Sequence, residues 1–201
     1  MNRRYWLDLF TGKTWDEFLA YGANVSGFRK RREKMAKQIK PGDYLIAYLT
    51  GISRFIGVLE VKSDCYMDDT EIWKGDSFPC RFKVKLIHKL EPKTGVPIME
   101  LRDRLTIFRG LKSPNAWTGF FRGSPAEFRK ADGEAIADAI VSAIRNPVER
   151  DFDIKKYSRI PKTYESKIGM VTVPDTEQEE LELKKASDKT THEEIQSQSH
   201  L

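Results

Sequence analysis

The chain has 201 residues, 39% of them hydrophobic, a net charge of +5 and a pI near 9.1, which suits one folded domain with a real core plus a smaller appended segment. No stretch approaches the roughly 20 consecutive apolar residues that cross a bilayer, and Met1-Asn2-Arg3-Arg4 leads straight into a strand-like run, so membrane and secreted classes are set aside and a cytoplasmic protein is expected. Residues 1–150 carry 27 Lys+Arg against 19 Asp+Glu, whereas residues 151–201 carry 8 against 11; a basic folded part attracts polyanions, nucleic acid first, with a merely solvated Lys/Arg surface as the alternative.

In chain order, Tyr5-Trp6-Leu7-Asp8-Leu9-Phe10 is an apolar run of strand length, and Thr14 with Glu17 forms a capping-box signature for a helix through about Ala20. After a break from Gly22 to Gly27, the segment Phe28 to Ile39 predicts a charged surface helix with Phe28, Met35 and Ile39 on one face, and Pro41-Gly42-Asp43 predicts a turn. Tyr44 to Leu49 and Arg54 to Val61 read as a hairpin through Thr50-Gly51-Ile52-Ser53, and Cys80 to Leu90 as a third strand of a meander. Val96 to Leu101 and Leu105 to Phe108 are short apolar pieces broken by Arg102-Asp103-Arg104. Ser124-Pro125 predicts a short helix with Pro at its first position, and Asp132 is placed to cap an amphipathic helix running to Ala143, ahead of Pro147. From about Glu149 the composition turns polar, so the expected division is a domain over 1–148 and, over 149–201, a linker and a largely flexible, mildly acidic tail with one strand at Met170 to Val173.

Catalytic constellations do not stand out. His88, His192 and His200 lack zinc spacing, no phosphate loop or nucleophile elbow occurs, and Cys65 and Cys80 read as reduced thiols. Asp68, Asp69, Glu71 and Asp76 cluster in what reads as a solvated turn rather than a metal site. A non-enzymatic protein without metal or cofactor is expected.

Aromatic and basic residues carry the functional signal. Trp6 and Trp15 fit a core, but Trp73 sits in Trp73-Lys74-Gly75 after an acidic loop, where a ring needs cover from either a ligand or a neighbouring loop. Trp117 and Phe120 share a Gly-bearing loop with Arg122, and there packing and binding compete equally. Candidate phosphate contacts are Arg29, Lys30, Arg31, Arg32, Lys74, Arg122, and the alternating Arg81, Lys83 and Lys85 of the third strand.

Gly27-Phe28 before Arg29-Lys30-Arg31-Arg32, Pro41-Gly42-Asp43 before a strand, Trp73-Lys74-Gly75 before Phe78-Pro79-Cys80-Arg81-Phe82, and Trp117-Thr118-Gly119-Phe120-Phe121-Arg122-Gly123 occur in an order that resembles the EVE domain, a PUA-like relative of the YTH readers of methylated bases. Over residues 3 to 146 the resemblance implies an α+β fold: a mixed PUA-like barrel of about five to six strands flanked by helices. It also implies a reader of nucleic acid, DNA or RNA, that takes a modified base from a single strand or flipped from a duplex. Trp73 would be a pocket wall, and Asn24, Val25, Ser26 and Gly27 the opposite side, with Ser26 or Asn24 bonding the base. Many members carry a Trp in that segment where this chain has Val25 and Ser26, leaving Phe28, Trp117 or Phe120 to supply the ring. Two further readings stay open: a sensor fragment of a restriction-type protein with a fused or associated effector, for which Thr191 to Gln196 would open a helix, or an interaction barrel without a nucleic-acid role.

Overall fold

A computed structural model describes residues 3–159 and, as backbone, the strands Thr163–Ser166 and Gly169–Thr172. The elements in order are β1 (Tyr5–Phe10), α1 (Gly12–Ala20), β2 (Val25–Phe28), α2 (Glu33–Ala36) behind a 3-10 turn at Lys30–Arg32, β3 (Tyr44–Leu49), β4 (Arg54–Val61), β5 (Tyr66–Met67), β6 (Cys80–Lys89), β7 (Val96–Pro97), β8 (Ala126–Phe128), α3 (Lys130–Arg145), α4 (Ile154–Tyr157), β9 (Thr163–Ser166) and β10 (Gly169–Thr172).

The main sheet runs β2-β6-β4-β3-β1-β8, with β5 added beside β6 and β7 beside β4. β1 and β3 pair in parallel and the other pairs are antiparallel. β2 lies four steps from β1 along this order, yet Ser26 on β2 donates a hydrogen bond to Asp8 on β1 at 2.6 Å. Only a sheet curled into a half-barrel brings those side chains together. The mixed, curled α+β architecture is the one expected.

Alternation along the strands divides the core in two. Trp6 and Phe10 of β1, Leu45, Ala47 and Leu49 of β3, and Phe28 and Phe82 pack on one face with Trp15 and Phe18 of α1; Tyr5, Leu7, Ile46 and Tyr48 pack on the other with Ile136 and Ile140 of α3. The register between β3 and β4 steps from Ala47↔Gly57 to Tyr48↔Phe55, so Ile56 is an extra residue. That bulge changes the phase of β4 and lets Phe55 and Val58, three apart, share a face.

Four expected elements differ. α1 begins a turn earlier than Thr14 implied: Thr11 caps it, its hydroxyl accepting from the Thr14 amide while the Thr14 hydroxyl accepts from the Thr11 amide. The helix expected over Phe28 to Ile39 is a strand followed by one tight turn and a four-residue helix, because Val25–Phe28 is held by β6 in the register Phe28↔Cys80. The helix expected at Ser124-Pro125 is instead β8, which pairs with the free edge of β1. Asp132 does not cap α3; Arg129 occupies that position, and the Asp132 carboxylate accepts from the Thr106 amide and hydroxyl, both at 2.7 Å.

Beyond residue 148 the chain continues against the domain. Arg54 donates to the carbonyls of Arg150 and Asp151, and the Tyr157 hydroxyl donates to Asp16 at 2.8 Å. Gly12 and Gly51 make room for this, since a Cβ at either would strike the backbone of Tyr157 or Lys156. Gly51→Val is therefore expected to lift residues 153–157 and open the bonds after Lys155 and Lys156 to trypsin. Cleavage should speed about tenfold, the loss of a docking energy of about 1–2 kcal/mol; unchanged cleavage would show that the docking is not held there. The strand expected at Met170 to Val173 falls on β10, paired with β9, with Val173 outside the described residues, as are the acidic cluster from Glu177 to Glu182, Thr191 to Gln196, His192 and His200. No helix among the described residues is long and apolar enough to cross a membrane.

Candidate nucleic-acid interface

Where the half-barrel stays open, a cleft of about 110 Å³ forms over the C-terminal half of β1. It is lined by Asp8 to Thr11 of β1 and the turn after it, by Gly27 and Phe28 of β2 with Arg29, Arg31 and Arg32, by Trp73, Asp76 and Phe78 packed beside β2, and by Arg122 to Ser124 ahead of β8. Arg32 crosses the gap so closely that a Cβ at Gly123 would collide with its guanidinium.

The aromatic wall is built from two rings. Trp73 is 2% exposed, its indole Nε1 donating to the Thr14 carbonyl at 3.1 Å, which ties the loop to α1. Phe78 meets it edge to face with centroids 5.1 Å apart and remains half-buried. Gly27 is required beneath them, because a Cβ there would lie 2.7 Å from the Phe78 carbonyl oxygen and 3.2 Å from the indole. The indole thus borders the cleft but is sealed on most of its surface, and the ring with free area is Phe78.

The rim is cationic. Arg29 is held over the Phe78 ring, 5.1 Å from its centroid, by an ion pair with Asp76 at 3.0 Å. Arg31 and Arg32 have no acidic partner among the described residues, and Arg122 is exposed beside them. At the floor, the Asp8 side chain is buried; desolvation pushes its carboxyl up to about 7, the bond from Ser26 pulling weakly the other way.

Of the residues singled out from sequence, the cleft brings together Gly27, Phe28, Arg29, Arg31, Arg32, Trp73 and Arg122. The others lie apart from it. Asn24 is exposed, its carbonyl engaged by the Val84 amide, and Val25 faces Lys83 in the β2–β6 ladder. Ser26 is fully buried and committed to Asp8. Trp117 and Phe120 do not replace the missing ring: Trp117 packs on Phe108 and Phe121, and Phe120 on Phe121 and Phe128, in the second core. Lys30 is ion-paired with Glu33 at 2.6 Å, and the Glu33 carboxyl is drawn down to about 2 by Lys30 and Lys37. Arg81 is not part of an open basic ladder; β5 covers that end of β6, and Arg81 is 3% exposed and paired with Asp68 at 3.1 Å. Lys74, Lys83 and Lys85 are exposed but do not line the cleft. Sequence reasoning missed Asp8, Phe10, Thr11, Asp76 and Phe78; a lone carboxylate inside the apolar run Tyr5 to Phe10 was the available signal for the first.

A family model described as the EVE domain matches residues 4–139. The chain belongs to the EVE domain family. This EVE domain is 30% identical over 131 residues to a UPF0310 protein of Pyrococcus abyssi, covering 59% of the chain and 86% of that protein, and 27% identical over 133 residues to a UPF0310 protein of Pyrococcus horikoshii, with the same coverage. Among solved structures, it resembles the Mmi1 YTH domain in complex with RNA, with a TM-score of 0.52 and 18% identity over 75% of this chain and 85% of that one. The Pho92 YTH domain in complex with m6A gives a TM-score of 0.50 and 18% identity over 70% and 84%. At that identity the likeness is one of fold, and it places the EVE domain in the YTH/PUA-like architecture.

Proposed function

We propose that this EVE domain is a non-catalytic reader of nucleic acid that takes one base, in a modified form, into the cleft between β2 and the segment before β8. The observation that carries the reading is the pairing of a half-buried ring, Phe78, with a rim of arginines at the mouth of a slot in the barrel. Guanidinium groups hold phosphates with little regard to sequence, and a flat ring stacks on whichever base is unpaired. Unpairing a base from a duplex costs a few kcal/mol, so single-stranded or distorted targets are bound more tightly. RNA and m6A, the ligands in the Mmi1 and Pho92 complexes, belong to the class the cleft would take.

The test is a binding screen of single- and double-stranded oligonucleotides carrying different methylated bases, with Phe78→Ala and Arg31→Ala as controls. Stacking contributes about 1–3 kcal/mol per base, so Phe78→Ala should weaken binding by one to two decades. Arg31→Ala should weaken all strands alike and lower the salt slope by about one phosphate contact. Equal retention of modified and plain strands by the native protein removes the reader and leaves general polyanion attraction.

A further inference from the structure

Three carboxylates are buried among the described residues: Asp8, Asp43 and Asp132. Two are fully used. Asp43 accepts from the Arg4 amide through Oδ1 and from the Trp6 indole and the Lys40 amide through Oδ2, and it also pairs with the Arg4 guanidinium; Asp132 accepts from Thr106 through both oxygens. Asp8 accepts only from the Ser26 hydroxyl, through Oδ2. Its Oδ1 has no partner among the described residues, yet it is not sealed in: the one side-chain oxygen there that is both unpartnered and closed off from solvent is Glu17 Oε2. Asp8 is 2% exposed, and the cleft it lines is where that small opening of Oδ1 is assigned. A carboxylate oxygen at the floor of a slot that receives no donor from the protein is placed to accept one from a group that enters.

We infer that Asp8 sets the specificity of the cleft: its free Oδ1 accepts a hydrogen bond from the exocyclic amino group of the captured base, so adenine- and cytosine-type bases are taken and their keto counterparts refused. This rests on the base-capture reading and adds the edge that is read. A keto oxygen in place of the amino group would set two acceptors against each other, leaving a buried group unpaired, which is where discrimination between near-isosteric bases is strongest. Serine at position 26 is part of the device, since a ring there could not make the bond that fixes the Asp8 rotamer. The other charged groups on the cleft are Arg29, Arg31, Arg32 and Arg122, with Asp76 paired to Arg29. Guanidinium groups stay charged at every working pH, so Asp8, with its carboxyl near 7, governs the pH response. Protonation puts an O–H donor on the carboxyl and leaves it a weaker acceptor, so affinity for an amino-bearing base should weaken as pH falls through about 7 and level off above it.

The test uses the native protein and short single strands that differ at one position, in amino/keto pairs of nearly one shape: adenine against hypoxanthine, cytosine against uracil, 5-methylcytosine against thymine, with an abasic strand as reference. The expected result is a preference of about tenfold or more for the amino member of whichever pair is captured, reduced to about threefold or less in Asp8→Asn, whose amide offers both a donor and an acceptor. The pH profile of the native protein gives a second reading that needs no variant. If the abasic strand binds as well as every other, base capture and this inference fall together. If bases are captured but the keto member binds equally, if Asp8→Asn keeps the preference, or if affinity falls as pH rises through 7, the Asp8 assignment alone is overturned.

Discussion

Asp8→Asn is expected to stabilise the protein at pH 8 by about 2–4 kcal/mol while changing it little near pH 4. The native carboxyl is raised from the ordinary aspartate value of 3.8 to about 7 by burial. A folded-state value above the unfolded one means that the native state binds the proton more tightly. The associated stability is fully present below about pH 4, declines between about pH 4 and 7, and is gone above. A displacement of about three pH units corresponds to about 4 kcal/mol, and the new amide, with donors of its own facing the cleft, takes back part of it. Asparagine keeps the shape and can still accept from Ser26, so it removes the cost of the charge and not the contact. Urea titrations of both proteins at about pH 4.5 and 8 check this through the difference between them, which cancels the titration of every other carboxylate. A difference that stays constant with pH would show that Asp8 is ionised throughout. An arrangement that lowers stability at neutral pH to keep a carboxylate at the bottom of a slot is what stability–function trade-offs look like in a binding protein.

The same residue shows where a sequence stops being legible. β1, β3, β4 and β6 could be read because each is a run of apolar and β-branched residues between turn signals, and their alternation names both cores. Asp8 shares a strand face with Trp6 and Phe10, and nothing local tells whether such a carboxylate is satisfied. That depends on Ser26, eighteen residues away and four strands distant across the curl. The run Arg29 to Arg32 was recognisable as a cationic motif, but its secondary structure was not, because β6 pulls Val25–Phe28 into the sheet and ends it at the first arginine. Arg81 looked like one rung of a ladder with Lys83 and Lys85; the short β5, too brief to announce itself, covers it. Trp117 and Phe120 sit in a segment rich in turn residues, yet the rings of Phe108 and Phe128 gather there from two other stretches and, with the neighbouring Phe121, absorb them. In each case the missing information is a long-range contact.

Trp73→Ala is expected to act on stability before it acts on binding, and to separate wall from scaffold. The indole is 2% exposed, meets Phe78 edge to face, lies under the Arg81 guanidinium at 5.8 Å and donates to the Thr14 carbonyl. Truncating a buried Trp costs about 3–5 kcal/mol through lost burial and the cavity left behind. For a chain of this size that lowers Tm by roughly 10 °C. The loop from Trp73 to Phe78 would also lose its tie to α1, so Phe78 would no longer be held against Gly27 and binding would fall as a consequence. Trp73→Phe separates the contributions: it retains most of the packing but loses the indole's bond to the Thr14 carbonyl, which α1 already engages, for a smaller loss of about 1 kcal/mol. Phe78→Ala, at a half-buried ring, should lower Tm by only a few degrees while costing binding one to two decades. Calorimetry and oligonucleotide binding on the three variants decide it. Should Trp73→Ala keep a native Tm and lose binding alone, the indole would be a contact surface rather than the beam that holds one, and the roles of positions 73 and 78 would have to be exchanged.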